Sequence, residues 1–296
     1  MRVVLRTGVA FTALAMAMSS ASAADQFIHV TDTKNLASAF SGWVEGRYGA
    51  IDEINGADGN GQTEDVDGSR WSLRGTANLR GGSFNLQVEL ENVNLDGGLL
   101  ETRTSAGTAH AYYRPLGGNY AAGAYLRGSY EDYTNFRDAG LPEYDATDVV
   151  AGIEAAYIGQ LATLYVRTGG GIRTDEFLDT ELDSDRVHFG LGANLYIGDN
   201  FRVGFHGTYD QAKNDLFDVE TFTFDSRATY RFDQKPISLF AGYRYDRTET
   251  HVFADEEETD TRLGELYAGA KLHFGSDSLR QEDRSGALWD THFARQ

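Results

Sequence analysis

Arg70-Trp71-Ser72-Leu73-Arg74-Gly75-Thr76-Ala77-Asn78-Leu79-Arg80, the tripeptide Gly81-Gly82-Ser83, and Phe84-Asn85-Leu86-Gln87-Val88-Glu89-Leu90-Glu91 carry the period that decides the fold. Trp71, Leu73, Gly75, Ala77 and Leu79 alternate with Arg70, Ser72, Arg74, Thr76, Asn78 and Arg80. After the glycine turn, Phe84, Leu86, Val88 and Leu90 alternate with Asn85, Gln87, Glu89 and Glu91. Side chains of a strand point to opposite faces in turn, so this is a hairpin with one greasy and one wet face.

The unit recurs along the chain. Strands are expected at 40–48, 69–80, 84–94, 104–114, 119–130, 146–158, 161–168, 186–197, 201–209, 220–232, 237–245 and 262–274. That makes twelve, each of about ten residues, the length of a tilted membrane-crossing strand. Sixteen strands are the alternative count, but they would require extra strands in the acidic loops or the tail, which lack period two. Short links (81–83, 115–118, 159–160, 198–200, 233–236) alternate without a break with long ones (49–68, 95–103, 131–145, 169–185, 210–219, 246–261). Such alternation is expected of a closed antiparallel transmembrane β-barrel and has no counterpart in a soluble sandwich. Aromatic residues gather where amphipathic rings settle at the membrane surface. Phe40, Phe84, Tyr113, Tyr120, Tyr157, Phe201, Tyr230 and Phe274 lie at the short-link end, and Tyr48, Trp71, Tyr130, Tyr209 and Tyr245 at the other.

Composition agrees. The 296 residues carry 45 acidic and 26 basic side chains, three prolines and no cysteine. A net charge of −19 with no basic run excludes a nucleic-acid partner, because phosphate binding needs clustered Lys and Arg. Absence of cysteine excludes disulfides, thiolate metal sites and a cysteine nucleophile. The mean hydropathy of −0.42 is compatible with a barrel, where only half of each strand meets lipid. At the start, Arg2 and Arg6 precede an apolar run from Val9 to Met18 and the small-x-small Ala21-Ser22-Ala23. The run is too short for a membrane helix and has the form of a cleaved secretory signal. Residues 1–23 are expected to be signal peptide, 24–38 a periplasmic lead-in, 39–274 the barrel, and 275–296 a polar periplasmic tail in which Leu288, Trp289 and Phe293 fit a short helix.

Tyr267-Ala268-Gly269-Ala270-Lys271-Leu272-His273-Phe274 resembles the signal that closes outer-membrane barrels, with Tyr267, Gly269, Leu272 and Phe274 in the diagnostic places. The departure is that a tail follows it. Ser41-Gly42-Trp43-Val44-Glu45-Gly46-Arg47-Tyr48-Gly49 is similar to the opening strand of general porins. Pro142-Glu143-Tyr144 is similar to the run by which their third loop bends inward, so Pro142, Glu143, Tyr144 and Asp145 are candidates for a constriction. The resemblance is to the porin-like barrels of Gram-negative bacteria as a class. It implies an outer-membrane location, contact with lipid and lipopolysaccharide, recognition by the barrel-insertion machinery, and an oligomer.

On the wet face lie Arg47, Arg70, Arg74, Arg80, Arg114, Arg127, Arg167, Arg186, Arg202, Arg227, Arg231 and Arg244, against Glu45, Glu89, Glu91, Glu154 and Asp225. This surplus of arginine over acid points to passive diffusion of small polar solutes with a preference for anions. A structural or adhesive barrel with a closed lumen is the alternative. An outer-membrane lipid hydrolase is the least favoured. It would have to draw on the wet-face His110, His188 or His206, with Thr208 as the nearest candidate nucleophile, whereas outer-membrane phospholipases act from the lipid side. No catalytic residue, metal or cofactor is expected. The acid-rich 58–69 segment fails the calcium-loop pattern at Thr63 and Ser69.

Overall fold

The computed structural model describes residues 39–57, 63–64, 68–97, 101–133, 144–177, 180–252 and 257–289. The expected signal peptide and lead-in, Pro142, Glu143, Phe293 and most of the 58–69 segment lie outside them.

The strands are β1 (Phe40–Ala57), β2 (Thr63–Glu64), β3 (Gly68–Gly81), β4 (Phe84–Asp96), β5 (Glu101–Tyr113), β6 (Tyr120–Tyr133), β7 (Tyr144–Ile158), β8 (Ala162–Phe177), β9 (Thr180–Tyr196), β10 (Phe201–Lys213), β11 (Phe217–Arg231), β12 (Ile237–Val252) and β13 (Glu257–Phe274). The two-residue β2 pairs only with the tip of β1. The other twelve form one antiparallel meander, each beside its neighbour in sequence, and β13 returns to pair with β1 from Gly42↔Phe274 to Gly56↔Thr261. Closure leaves no free sheet edge, so backbone groups are satisfied around the ring.

The outer face is apolar. Leu73, Leu126, Ile153 and Leu191 are each more than half exposed, and Val88 and Val203 share their outward orientation. Aromatic belts bound this face. At the short-turn end Phe40 stacks on Phe274 at 5.4 Å and Phe84 meets Tyr113 edge-on at 5.4 Å. At the other end Tyr48 pairs with Trp71. Tyr245 pairs with Gly264, and from there to Phe274 the strand runs roughly 33 Å, or about 23 Å in height at a tilt of ~45°, close to the apolar band of such barrels.

One expectation is corrected. Links at the second end are shorter than expected where the strands run past the apolar belt: 210–219 shrinks to 214–216 between β10 and β11. The stretch 169–185 is almost entirely strand, with β8 ending at Phe177 and β9 starting at Thr180. Above the membrane the outward face no longer has to be apolar, so period two lapses while backbone pairing continues.

The tail also differs from the expected extension. After Gly275, whose φ of +72° reverses the chain, helix α1 (Leu279–Ser285) and the segment through Trp289 fold back into the short-turn mouth. A Cβ on Gly275 would lie 2.1 Å from the Phe40 carbonyl oxygen, so both conformation and space demand glycine. Ser278 caps the helix by accepting from the Gln281 amide at 3.1 Å. Leu279, Ala287, Leu288 and Trp289 are buried, and the last two join Tyr112, Ala121, Ala156, Ile158 and Tyr165 in an apolar cluster inside the wall.

Candidate functional site: the charged lumen and its plug

Inward residues follow from the strand period. Arg70, Arg74, Arg114, Arg127, Arg167, Arg202, Arg227, Arg244, Glu45, Glu89 and Glu154 are all buried, and the Arg47 side chain is 7 % exposed. They are held in connected networks stacked along the barrel axis.

At the overhanging end, Arg173 bridges Glu131 at 3.3 Å and Asp175 at 2.9 Å, and Tyr144 donates to Asp175 at 2.6 Å. Two of the four constriction candidates are thereby placed. Tyr144 and Asp145 are the first residues of β7, in register with Tyr133 and Asp132, and so belong to the wall and not to an inward loop.

Below this, two networks face each other. On one side Asp148 accepts from Arg127 at 3.0 Å and Arg186 at 2.8 Å, while Asp210 takes Arg186 and His188 at 2.9 Å each. On the other, Glu265 takes Arg47 at 2.7 Å and Arg70 at 2.6 Å, and Asp246 takes Arg244 at 2.8 Å and the Thr223 hydroxyl at 2.6 Å. The Arg47 guanidinium lies 3.5 Å above the Tyr267 ring, whose hydroxyl donates to Asp225 at 2.8 Å. Next down, Glu45 gathers Arg227 at 2.9 Å and Lys271 at 3.2 Å, with Lys271 3.7 Å over the Trp43 ring. The histidines are engaged at similar heights: His110 with Glu154 at 3.0 Å and His206 with the Tyr165 hydroxyl.

These partners overturn the expected arginine surplus. Among the described residues, twelve basic and thirteen acidic side chains are buried. Sequence reading missed Asp148, Asp210, Asp246, Glu265, Glu131 and Asp175, because most of them sit on strand extensions read as loops. It also missed Glu282 and Asp283, which come from the tail.

The tail closes the mouth with dense contacts. Asp283 accepts from Asn194 at 2.9 Å, from Arg202 at 3.3 Å and from the Tyr196 hydroxyl. Glu282 accepts from His273 and from Ser276 at 3.4 Å. Arg114 donates to the Asp283 and Gly286 carbonyl oxygens at 3.1 and 3.0 Å. Gln87 accepts from the Leu288 and Trp289 amides and donates to the Trp289 carbonyl oxygen, as a strand neighbour would. The Trp289 ring stacks on His110 at 6.3 Å and meets Tyr112 edge-on at 5.6 Å. Outside, Arg280 and Arg284 tie α1 to the Gly198 and Gly159 carbonyl oxygens of two short turns. Burial alone would raise the Glu282 carboxyl, but His273, Lys271 and Arg202 outweigh it and hold it below the ordinary range. For Asp283 burial wins over Arg202, Tyr196 and Asn194, and its carboxyl is pushed up.

The insertion-signal residues take distinct places. Leu272 and Phe274 face outward, and Tyr267 faces the lumen. Gly269 lets β13 approach β1, since a Cβ there would lie 2.3 Å from the Gly46 carbonyl oxygen. Among the described residues no group of three or more histidine or acidic side chains has the arrangement to hold a metal ion.

No family model matches the chain, and no curated protein sequence matches it. Solved structures with a similar course are barrels. The TodX monoaromatic hydrocarbon channel deltaS2 mutant is 8% identical over 80% of this chain and 90% of its own, at a TM-score of 0.45. An anion-selective porin from Comamonas acidovorans is 13% identical over 79% and 98%, at 0.36. The translocator domain of the autotransporter NalP from Neisseria meningitidis is 9% identical over 92% and 99%, at 0.44. By its own closure, apolar belt and wet interior, this chain has the fold of the porin-like outer-membrane β-barrels.

Proposed function

We propose that this chain is an integral outer-membrane barrel through which small polar solutes diffuse passively, and that its own tail closes the short-turn mouth in the conformation described here. The observation that carries this reading is the kind of closure. The mouth is filled by a segment that contributes nothing to the sheet, while the wall around it is polar except for the apolar patch under Leu288 and Trp289. Inside that wall, Thr76 Oγ1, Asn78 Nδ2, Thr208 Oγ1, Thr229 Oγ1 and His110 Nε2 are buried with no protein partner. Left dry, each such group costs about 1–3 kcal/mol, so the interior is one that water suits. With buried charges balanced, nothing in the wall favours anions over cations along its whole length.

A second reading, a structural or adhesive barrel with a sealed lumen, is favoured by the ion-pair networks that span the interior. Planar-bilayer recording separates the two. Under the channel reading the full chain shows rare or small conductance steps, and a chain ending after Ser276 shows larger and more frequent ones. Silence from both, with each running as a folded, heat-modifiable barrel on gels, establishes the sealed barrel instead.

A further inference from the structure

We propose that the wall around Glu282 and Asp283 is a binding site for small carboxylate anions, which the tail occupies in cis as a stand-in for the solute. The proposal deepens the channel reading and takes its physiological sense from it.

The donors at this site come from the rigid wall. Asn194 and Tyr196 alternate on the inner face of β9, and Arg202 stands on β10 in register with Tyr196. An amide, a phenol and a guanidinium therefore converge from two rigid strands on one carboxylate, that of Asp283. Such a grouping offers an oxyanion three donors; burial under the docked tail is what raises the Asp283 carboxyl, and a free anion in the open mouth keeps its water. Three strands along the wall from Arg202, on β13, His273 receives the second carboxylate, Glu282. Arg231 donates to the Ser276 hydroxyl and carbonyl oxygens at 3.1 and 2.6 Å. The hydrogen bonds of Arg114 all go to neutral oxygens, those of Asn85, Asp283 and Gly286. Arg114, Arg202 and Arg231 thus converge on a short stretch of tail. The tail acids Asp283 and Glu282 act on Arg202 and Arg231 there, whereas the acids of the networks above belong to the wall. Withdrawal of α1 would take those two negative charges out of the mouth and leave its wall more positive.

An external anion competes with a ligand tethered to the wall, whose effective concentration is in the millimolar range, so about tens of millimolar is the expected working range. The chain has no cysteine, and Ala287 is 3 % exposed, so A287C places a single thiol under the docked tail. Its labelling by an uncharged maleimide in the full, detergent-solubilised chain reads undocking. Sodium acetate or succinate, against sodium chloride at equal ionic strength, should speed labelling by about tenfold, and R202Q should flatten that ratio whatever it does to the basal rate. Carboxylates no better than chloride, or an equal response in R202Q, would overturn the site. An equal response to sulfate would widen the ligand to oxyanions and so overturn the carboxylate assignment. If A287C itself loosens the tail, Trp289 emission in a chain carrying W43F and W71F reports the same event. Conductance is not read, so a silent barrel leaves a positive result standing, and a conducting barrel without the response removes this site alone.

Discussion

The lumen is filled in two ways. In its upper and middle parts the strands narrow it with their own side chains, in salt-bridge networks such as Glu265 with Arg47 and Arg70. At the short-turn mouth it is closed by residues 275–289, through backbone acceptors, one stacked tryptophan and two carboxylates. The first filling cannot be removed without leaving charges buried in the wall. The second makes no strand pair, so its withdrawal would leave the sheet intact. Fixed filling and removable filling are thereby separated along one axis.

The largest effect expected from this contrast is on the fixed side. Glu265→Ala leaves Arg47 and Arg70 without their shortest partner, and breaking a buried pair costs about 3–5 kcal/mol. Urea unfolding followed by gel mobility should show the loss for the whole barrel, with tail docking unchanged. Stability within about 0.5 kcal/mol of the parent would mean water screens the network, and the upper lumen would then be as open as the mouth. On the removable side, Trp289→Ala deletes the stacked ring in the apolar cluster. A loss of about 3 kcal/mol, or roughly a hundredfold in docking, should appear as faster A287C labelling while global unfolding stays put. Coupled loss of barrel stability would break the distinction between the two closures.

The same contrast explains what could be read from the residues alone. Lipid imposes period two wherever a strand crosses it, so the twelve strands, the glycine turns and the inward arginines were legible. Above the belt that constraint ends, and Gly169-Gly170-Gly171 or Thr180-Glu181-Leu182-Asp183 look like loop although they are strand. Asp210, Asp246, Glu131 and Asp175 were lost with those extensions, and much of the charge balance with them. The plug left a fainter signal. Tyr112, Ala121, Ala156 and Ile158 gather apolar side chains at one end of a mostly polar face, and Leu288 and Trp289 stand in a polar tail. Each oddity lacked a partner in sequence, and the structure makes them partners of each other. Asp283, by contrast, had no local mark, since its donors are about 80 to 90 residues away.

The smallest expected effect concerns the two tail carboxylates, which should respond to pH with opposite sign. Glu282, facing His273, Ser276, Lys271 and Arg202, is held below its ordinary value when docked. Its contribution to docking is therefore complete above its undocked value of about 4.5 and is lost as pH falls through the depressed docked value. Asp283, facing Arg202, Tyr196, Asn194 and its neighbour Glu282, is pushed above its undocked value of 3.8. It binds its proton more tightly when docked, so lowering the pH through that raised value strengthens docking. In an A287C background, D283N isolates the first group, and labelling, taken at each pH relative to a free thiol, should stay level from neutral pH and quicken below about pH 4.5. E282Q isolates the second, and labelling on the same relative scale should slow as the pH falls from neutral toward 3.8. Subtracting one curve from the other removes the titration of the rest of the lumen, which both variants share. Curves that move in the same direction would show that the two carboxylates do not sit in opposed surroundings, and that the mouth handles both charges as the fixed networks above it do.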